Sequence, residues 1–463
     1  MDDLIGNLKA ALGSGAVLEG ADALAKSHSA TARPLGTPIA VVMPSSTRDV
    51  STILRLCHAA RQPVVPWGGK TGLVDGGMAD GALALSLERM SGIEEIDKLG
   101  ATMTVHAGCV LQTVCEAADA NGLFFPLDLG ARGSATIGGN ISTNAGGNRV
   151  IRYGMTRDMV LGLEVVLADG TVLSSLNRLI KNNAGYDLKQ LFIGSEGTLG
   201  VVTRAVLRLR PRPVSQCAAF AAVDAFDRLP SFLRRMEWTL GGTLSAFEVM
   251  WEDFYKLVTT SPAKGRPPIR HGHPYYVLVE ALGSEQAEDS TRFERALTSA
   301  LEDGDVVDAV IAKSQAERDQ MWALRDDVGQ LVRNFPIFLF DVSLWIVDME
   351  DYVAQIRQAL AARWPGSTLV VFGHLGDGNL HVIVGVGDAG AEARNAVEAI
   401  VYGVLRECGG SISAEHGVGL EKRPYLGWSR SAEEIALMRS LKQMLDPRNI
   451  LNPGKVLAPV AVT

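Results

Sequence analysis

A long tract of small residues, Pro126 to Gly147, interrupts a chain that otherwise alternates between strand and helix patterns. A predicted strand, Thr102 to His106, and a helix precede the tract, and a predicted hairpin, Leu161 to Leu173, follows it. Because apolar strands resume on both sides, a flexible linker is a poor explanation of the tract. Glycine and small polar residues let a backbone approach a ligand closely. The tract therefore predicts a loop that lies along a large polar ligand.

A second glycine-rich segment, Pro66 to Gly77, follows a predicted strand, helix and strand that begin at Ala40. Its glycines allow backbone N–H groups to converge on an anion. A nucleoside-triphosphate loop is excluded, because its first glycine would fall on Val64. The glycines of Gly185 to Thr203 lack the spacing of a dinucleotide-binding turn, so a nicotinamide cofactor is not indicated.

Length and charge narrow the class of protein. The chain has 463 residues, which predicts two or three domains. Its 44 Lys and Arg residues against 52 Asp and Glu residues give a net charge of −8, which disfavours nucleic acid as a partner. The five cysteines form no CxxC pair, and the first residues lack a signal-peptide pattern. No apolar run is long enough to span a bilayer, so the sequence predicts a cytoplasmic protein that is not an integral membrane protein.

Two short apolar runs flank the sequence GHLGDGNLH, residues 373–381. Asp377 and Gly378 at its centre are typical of a two-residue hairpin turn. With that turn, His374 and His381 become direct cross-strand partners on one face, about 5 Å apart at Cβ. Two imidazoles so placed can bind one divalent metal, although a plain hairpin with two exposed histidines fits the same pattern.

An adjacent glutamate and histidine, Glu415 and His416, lie in the sequence AEHGVG. The chain has only eight histidines, and three of them fall in this segment and the hairpin. Glu415 as a third ligand would give two histidines and one carboxylate with open positions, which is the pattern of a catalytic metal. His416 would then be available as a base.

Six motifs occur in an order that resembles one family of flavoproteins. They are the segment 68–77, the tract 130–147, the sequence GYDL…GSEGTLG from Gly185 to Gly200, the GHLGDGNLH hairpin, AEHGVG, and Asn452 to Lys455. The chain resembles FAD-binding proteins of the vanillyl-alcohol oxidase/PCMH class, in the branch of D-lactate and D-2-hydroxyglutarate dehydrogenases. The resemblance covers nearly the whole chain.

The resemblance implies an α+β fold. A PCMH-type FAD-binding domain of two α/β subdomains is expected at 1–212, divided near residue 98. A substrate- and metal-binding domain, an antiparallel sheet with helices on one face, is expected at 213–424. A C-terminal helical segment, 425–463, would return to the FAD.

The resemblance also implies the residues that contact FAD. Relatives with covalently attached flavin carry a histidine where this chain has Thr71, so noncovalent FAD is expected. The expected contacts are Pro66, Trp67, Gly68, Gly69, Lys70, Thr71, Gly72, Leu73, Pro126, Gly133, Ser134, Thr136, Gly138, Gly139, Asn140, Ser142, Thr143, Asn144, Gly146, Gly147, Tyr153, Gly154, Glu196, Gly197, Gly200, Val201, Val202 and Asn452.

The implied reaction oxidises a D-2-hydroxy acid to a 2-oxo acid. His374, His381 and Glu415 would bind Zn²⁺ or Mn²⁺, which lowers the pKa of the substrate hydroxyl. His416 would take the hydroxyl proton while the C2 hydrogen leaves as hydride to flavin N5. Arg325 matches the family arginine that binds the substrate's C1 carboxylate. From the sequence alone, a helix arginine paired with a neighbouring aspartate is the more common explanation.

Departures from the family pattern imply the substrate. Members specific for 2-hydroxyglutarate carry Thr, Lys and Asn where this chain has Gly329, Leu339 and Ile383. A distal carboxylate that is buried without such partners is strongly disfavoured. The expected pocket therefore favours D-lactate or a larger apolar homologue. Its residues are Arg325, Trp322, Phe338, Leu339, Ile383 and Asn379.

Other functions fit the same residues. The chain fits a D-2-hydroxyglutarate dehydrogenase if a distant cation such as Arg270 replaces the missing partners, and it fits the flavin subunit of a glycolate oxidase complex. A flavin-free metallohydrolase or a hydroxy-acid-binding protein could also use the histidines and the glutamate. No iron–sulfur, haem or nicotinamide motif is present, so a dehydrogenase would pass electrons to an external quinone, cytochrome or electron-transfer flavoprotein. A homodimer is left open.

Overall fold

The computed structural model describes residues 2–459, which divide into two compact units. Within that range, unit 1 comprises the chain up to Gly147, Gly154–Arg212, and the chain from Glu415 onward. Unit 2 comprises Asn148–Tyr153 and Pro213–Ala414. These bounds differ from the predicted domains in two places, because the chain returns to unit 1 at Glu415 rather than at residue 425, and because the short segment 148–153 belongs to unit 2.

The protein mixes helices and strands along its whole length. The strands are β1 Val17–Leu18, β2 Ala40–Val42, β3 Val64–Trp67, β4 Leu83–Ser86, β5 Ile93–Asp97, β6 Thr102–His106, β7 Leu123–Phe124, β8 Val160–Val166, β9 Val172–Ser175, β10 Val201–Arg208, β11 Arg210–Pro211, β12 Ser215–Val223, β13 Leu244–Trp251, β14 Tyr275–Gly283, β15 Asp308–Ile311, β16 Ile337–Ser343, β17 Thr368–His374 and β18 Asn379–Gly385. The α-helices are α1 Asp2–Leu12, α2 Gly20–Lys26, α3 Thr47–Ala60, α4 Leu111–Ala120, α5 Ile137–Thr143, α6 Val150–Tyr153, α7 Thr156–Met159, α8 Lys189–Phe192, α9 Arg228–Leu240, α10 Glu252–Thr259, α11 Gln286–Glu302, α12 Gln315–Asp326, α13 Met349–Arg363, α14 Ala391–Glu407, α15 Leu426–Ser429 and α16 Ala432–Leu445.

Unit 1 contains a parallel sheet in which β2, β4 and β3 are neighbours, with β1 antiparallel at the edge beside β2. Helix α3 makes the crossover from β2 to β3. The side chain of Ser46 caps this helix by accepting a hydrogen bond from Asp49 N–H. The apolar face predicted for α3 is buried, and it consists of Val50, Ile53, Leu54 and Cys57.

Unit 1 also contains a five-stranded antiparallel sheet in the order β5-β6-β10-β8-β9. The hairpin predicted across Asp169 and Gly170 forms the β8–β9 edge of this sheet. Leu167 N–H donates to the Thr171 carbonyl at 2.9 Å, and Gly170 has φ +86°. A positive φ of this kind explains why an Asp-Gly pair is a reliable turn signal.

Unit 2 is built on a seven-stranded antiparallel sheet in the order β15-β12-β14-β13-β17-β18-β16. The long helices α9, α11, α13 and α14 pack on one face. There, Phe232 and Phe247 have ring centroids 5.2 Å apart, and Phe340 and Tyr402 have ring centroids 5.3 Å apart. Because side chains alternate between faces along a strand, the residues that follow Phe247 and Phe340 point to the opposite face.

That opposite face carries an apolar core at one end, which α10 and α12 cover. Its sheet residues include Phe220, Met250, Leu278, Phe372 and Ile383, one from each of five strands. Buried polar residues lie next to this core on the same face, and they include Glu248, Glu280 and His374. Among the helices within residues 2–459, none combines the length and the hydropathy that a membrane-spanning helix needs.

Phe247→Ala should destabilise unit 2 by about 3–5 kcal/mol, because it leaves a cavity against Phe232 in a fully buried layer. Trp238→Ala, on the same helix as Phe232, is the matched control, because Trp238 is 90% exposed. Its free energy of unfolding should change by no more than about 0.5 kcal/mol. Urea denaturation followed by far-UV circular dichroism checks both. Equal losses in the two variants would contradict this packing.

Candidate functional site

The predicted histidine hairpin is present as β17 and β18, but its turn is longer than predicted. His374 pairs with Asn379 and Phe372 pairs with His381, so residues 375–378 connect the strands. The prediction that His374 and His381 are direct cross-strand partners is therefore wrong. The connection is a 3-10 turn that closes on a glycine in the left-handed region, so a short helical turn took the place of the expected two-residue turn.

The two histidines nevertheless share one face of the sheet. A shift of the pairing by two residues preserves the face, because side chains alternate with a period of two. His381 is thus the diagonal neighbour of His374, and the ring centroids are 5.4 Å apart. Two imidazoles at this separation can both reach one metal ion.

His374 is held by two buried charged residues. Its Nδ1 lies 2.7 Å from Glu248 Oε1, and its Nε2 lies 3.2 Å from a terminal nitrogen of Arg325. Arg325 Nε also donates to Glu248 Oε2 at 2.8 Å. A guanidinium group can only donate hydrogen bonds, so His374 Nε2 must accept, and Nδ1 carries the proton that is donated to Glu248.

Glu248 is only 1% exposed. Burial alone would raise the pKa of its carboxyl, but the His374 ring and the Arg325 guanidinium hold that pKa below its usual value. The carboxylate is therefore ionised. Removing one partner from such a buried pair costs about 3–5 kcal/mol, because it leaves an uncompensated charge.

His381 faces a second buried carboxylate. Asp341 lies directly opposite it across β16 and β18, with Oδ1 3.8 Å from His381 Nδ1, which is beyond hydrogen-bond distance. Asp341 accepts hydrogen bonds from Asn379 Nδ2 at 2.9 Å and from Ala414 N–H at 3.1 Å. Asn379 Oδ1 is buried and has no hydrogen-bond partner within residues 2–459. An acceptor in this state beside the histidines suits a ligand hydroxyl or a water.

Glu415 and His416 belong to unit 1 and follow Ala414 directly in the chain. The Glu415 carboxylate accepts a hydrogen bond from Gly147 N–H. The next residues are held by Glu196, whose carboxylate accepts hydrogen bonds from the N–H groups of residues 418 and 419 at 2.6 and 2.9 Å. Glu196 was predicted as an FAD contact, and its side chain supports the segment after His416. Burial raises the pKa of this carboxyl, although both backbone N–H groups oppose the shift.

Helix α12 rests on a second buried carboxylate in addition to Glu248. Trp322, one turn before Arg325, donates from Nε1 to Glu280 at 3.1 Å. Arg149, in the short segment 148–153, binds Glu280 through two nitrogens at 3.0 and 3.3 Å. The two carboxylates therefore fix the height and the rotation of α12 above the sheet.

The predicted pocket residues do not all share one face. Phe338 lies on the face of the long helices, where the Arg394 guanidinium sits 5.3 Å from its ring centroid, so its assignment to the pocket is wrong. Because side chains alternate between faces, Leu339 lies on the histidine face, where it is directly opposite Ile383. Ile383 is buried and Leu339 is 50% exposed, so this part of the face is apolar.

The glycine-rich segments of unit 1 pack backbone against backbone. A Cβ atom on Gly69 would overlap the Ser134 carbonyl oxygen, and one on Gly68 would overlap the Thr136 hydroxyl. A Cβ atom on Gly147 would overlap the Asp128 carbonyl oxygen. Only glycine permits these approaches. The loops predicted to contact one ligand are therefore brought together.

The buried polar atoms of unit 1 that have no hydrogen-bond partner within residues 2–459 include Thr136 Oγ1, Asn140 Nδ2 and Asn452 Oδ1. Asn452 Nδ2, in contrast, donates to the carbonyls of Gly76 and Glu196 at 3.1 and 2.8 Å. Buried polar groups normally have partners, so these atoms indicate a polar ligand between the loops.

Two family models match the chain. The FAD binding domain matches residues 38–175, and the C-terminal domain of FAD linked oxidases matches residues 212–456. The chain belongs to the FAD-linked oxidase family. The match supports FAD as the cofactor, and all predicted FAD contacts lie in unit 1 except Tyr153, which lies in unit 2.

This FAD-linked oxidase has curated relatives over most of its length. It is 41% identical to D-2-hydroxyglutarate dehydrogenase of Xanthomonas citri pv. viticola over 92% of this chain and 90% of that protein. It is also 41% identical to the mitochondrial D-2-hydroxyglutarate dehydrogenase of Rattus norvegicus, over 90% of this chain and 78% of that protein. A relative named D-2-hydroxyglutarate dehydrogenase from Stutzerimonas stutzeri is 36% identical over 98% and 99%.

Solved structures confirm the predicted fold class. p-Cresol methylhydroxylase aligns with a TM-score of 0.79 at 16% identity, over 99% of this chain and 97% of that one. A 4-ethylphenol oxidase from Gulosibacter chungangensis aligns with a TM-score of 0.76 at 19% identity, over 100% and 98%. At such identities the likeness concerns the fold.

The sequence reasoning missed Glu248, Asp341 and Glu280. A signal existed, because each is an acidic residue in a strand whose other residues are mostly apolar. A carboxylate at such a position needs a partner, which makes it a candidate for a site.

Gly69→Ala should abolish retention of FAD, because the new Cβ atom would force the two glycine-rich loops apart at Ser134. Gly130→Ala is the matched control in the second loop, because its Cβ atom would meet nothing within 4 Å. The ratio of flavin absorbance to protein in the purified variants is the measurement. Full flavin content in Gly69→Ala would show that this close approach is not required.

Proposed function

We propose that this protein is an FAD-dependent dehydrogenase that oxidises D-2-hydroxy acids with small or apolar side chains, such as D-lactate, to 2-oxo acids. The relatives named for a D-2-hydroxy acid support the reaction class. The observation that carries the substrate choice is the apolar pair Leu339 and Ile383, which lies next to the histidines on the same face of the sheet.

Arg325 is the proposed ligand of the substrate's C1 carboxylate. It is 7% exposed, and Glu248 accepts from its Nε. A guanidinium group has five N–H donors in a planar fork, so the bond at Nε fixes the plane in which the outer nitrogens meet a carboxylate. The sequence alone favoured an exposed helix arginine, but Arg325 is buried and the plane of its guanidinium group is fixed by Glu248.

The proposed metal ligands are His374, His381 and Glu415, and the ion is Zn²⁺ or Mn²⁺. The two histidines fit such an ion, because they share one face, and Nε2 of His374 would exchange its hydrogen bond from Arg325 for the ion. A bound ion would lower the pKa of the substrate hydroxyl. Asn379 Oδ1, which is buried beside the histidines, would accept a hydrogen bond from that hydroxyl or from a water.

His416 is the proposed base that takes the hydroxyl proton. Its segment is held from behind by Glu196, which fixes two backbone N–H groups just after it. A positioned base contributes about 10²–10⁴ in rate. When bound, FAD would accept the C2 hydrogen as hydride, and Thr71 in place of a histidine supports noncovalent attachment. Electrons would then pass to an external acceptor.

The second candidate is D-2-hydroxyglutarate, and the names of the curated relatives favour it. Its distal carboxylate would need a cationic or polar partner in the pocket. Gly329, Leu339 and Ile383 offer none at the positions where the family pattern has Thr, Lys and Asn. This is why we place D-lactate and its apolar homologues first.

The purified protein should reduce its flavin faster with D-lactate or D-2-hydroxybutyrate than with D-2-hydroxyglutarate, by at least about tenfold in kcat/KM, which is worth about 1.4 kcal/mol. L-lactate should leave the flavin oxidised. Anaerobic bleaching of the flavin absorbance gives the rates. A preference for D-2-hydroxyglutarate would overturn the apolar pocket and support the second candidate, whereas a colourless protein would leave only a flavin-free function.

His416→Ala should keep FAD and metal but lower kcat by about 10²–10⁴, because only the proton acceptor is removed. His58→Ala is the matched control, since it removes a half-buried histidine from α3 in the same unit. Stopped-flow reduction of the flavin measures the chemical step, and elemental analysis measures the metal. Wild-type reduction rates in His416→Ala would exclude it as the base.

A further inference from the structure

The strand β13 carries one charged residue, Glu248, in a row of otherwise uncharged buried side chains. Its two oxygens have different partners. Oε1 lies 2.7 Å from His374 Nδ1, and Oε2 lies 2.8 Å from Arg325 Nε. A single carboxylate therefore connects a proposed metal ligand with the proposed ligand of the substrate carboxylate.

The bond to His374 determines which nitrogen can bind a metal. Because Nδ1 faces Glu248, Nε2 is the ring nitrogen left to a metal, which would replace the hydrogen bond from Arg325 there. The pairing of Glu248 with His374 across β13 and β17 also restrains the ring plane. A histidine ligand that donates its other N–H to a carboxylate binds metal more tightly, because its tautomer and orientation are set beforehand.

The bond to Arg325 determines where the guanidinium plane lies. Nε is the inner nitrogen of the group, so the hydrogen bond from Nε to Glu248 holds the guanidinium group against the sheet. One terminal nitrogen lies 3.2 Å from His374 Nε2, so the arginine and the histidine meet edge to edge. Any shift of Glu248 would therefore move both residues.

We propose that Glu248 is a positioning residue that serves both His374 and Arg325, and so couples metal binding to binding of the substrate's C1 carboxylate. This inference rests on the proposed function and deepens it. Glu248 touches neither substrate nor metal in this scheme. It acts through the two residues that do.

The competing explanation is structural: Glu248 could merely neutralise a buried arginine. The chain offers a control for this, because Glu280 is also buried, lies on the same sheet face in the next strand, and is paired with Arg149 and Trp322. Glu280 contacts neither histidine of the pair. A general effect of deleting a buried charge would appear in both Glu248→Gln and Glu280→Gln.

The first measurement is metal affinity. The wild type and both variants, each with FAD retained, are stripped with EDTA and titrated with Zn²⁺ in the absence of substrate. Glu248→Gln should bind Zn²⁺ about 10–100-fold more weakly, because an amide cannot accept from both donors. Glu280→Gln should match the wild type. Unchanged affinity in Glu248→Gln, or equal loss in both variants, would overturn the proposal.

The second measurement separates the two partners of Glu248. At saturating Zn²⁺, the KM of Glu248→Gln for D-lactate should stay raised at least about tenfold, because Arg325 remains misplaced. Recovery of the wild-type KM at saturating Zn²⁺ would overturn the coupling and restrict Glu248 to His374. Glu280→Gln serves as the control for metal affinity alone, since Trp322 contacts its carboxylate.

A third variant covers the case in which Glu248→Gln does not fold. Glu248→Asp keeps the charge but withdraws it by one methylene, so it should fold and should still show weaker Zn²⁺ binding and a raised KM. Wild-type values for both quantities in Glu248→Asp would overturn the proposal. A wild-type protein that oxidises D-lactate but binds neither Zn²⁺ nor Mn²⁺ would overturn the metal site itself, and this result appears before any variant is made.

Discussion

Glu248 places a negative charge inside a strand that is buried along its whole length. Such a charge persists only where geometry supplies partners on both oxygens, and here a helix supplies one and a neighbouring strand supplies the other. Helix α12 must therefore dock with Arg325 over β13. Glu280, on β14, likewise requires Trp322 of the same helix to lie above it. Two buried carboxylates thus determine the position of the helix that carries the proposed substrate arginine, which apolar packing alone would allow to slide.

A different constraint acts on unit 1, because FAD, the cofactor of the family, is large and polar. The loops approach each other so closely that several positions accept only glycine, and buried polar atoms such as Thr136 Oγ1 and Asn140 Nδ2 lack partners within residues 2–459. The loops therefore pack backbone against backbone, and their unpaired polar atoms can form hydrogen bonds with a cofactor. Glu196 connects these loops to the proposed base, because its carboxylate accepts hydrogen bonds from the segment just after His416.

The fold class and the family were predicted from the resemblance of six ordered motifs to one family, whereas the loops and turns were predicted from glycine tracts and turn pairs, which have fixed backbone requirements. It also predicted correctly that His374 and His381 share a face, although it assigned the wrong turn. That success has a physical reason: the error was an even number of residues, and side-chain parity survives an even shift. Phe338 was assigned to the pocket from alignment to the family, and the same parity rule places it on the other face. Glu248 could not be matched to His374, because their pairing joins strands more than a hundred residues apart in the chain.

In the proposed site, the metal ligands and the residues that would select the substrate lie in separate rows of the sheet. His381 and Asp341 form one cross-strand pair, and Ile383 and Leu339 form the next pair on the same face, two residues further along both strands. Side chains in adjacent rows touch, but each row has its own backbone positions. Under the proposed function, a substitution at Leu339 or Ile383 would change which substrate side chain the pocket accepts without moving the histidines. In the proposed site, the row that would bind the metal is thus independent of the row that would set the space for the substrate's side chain.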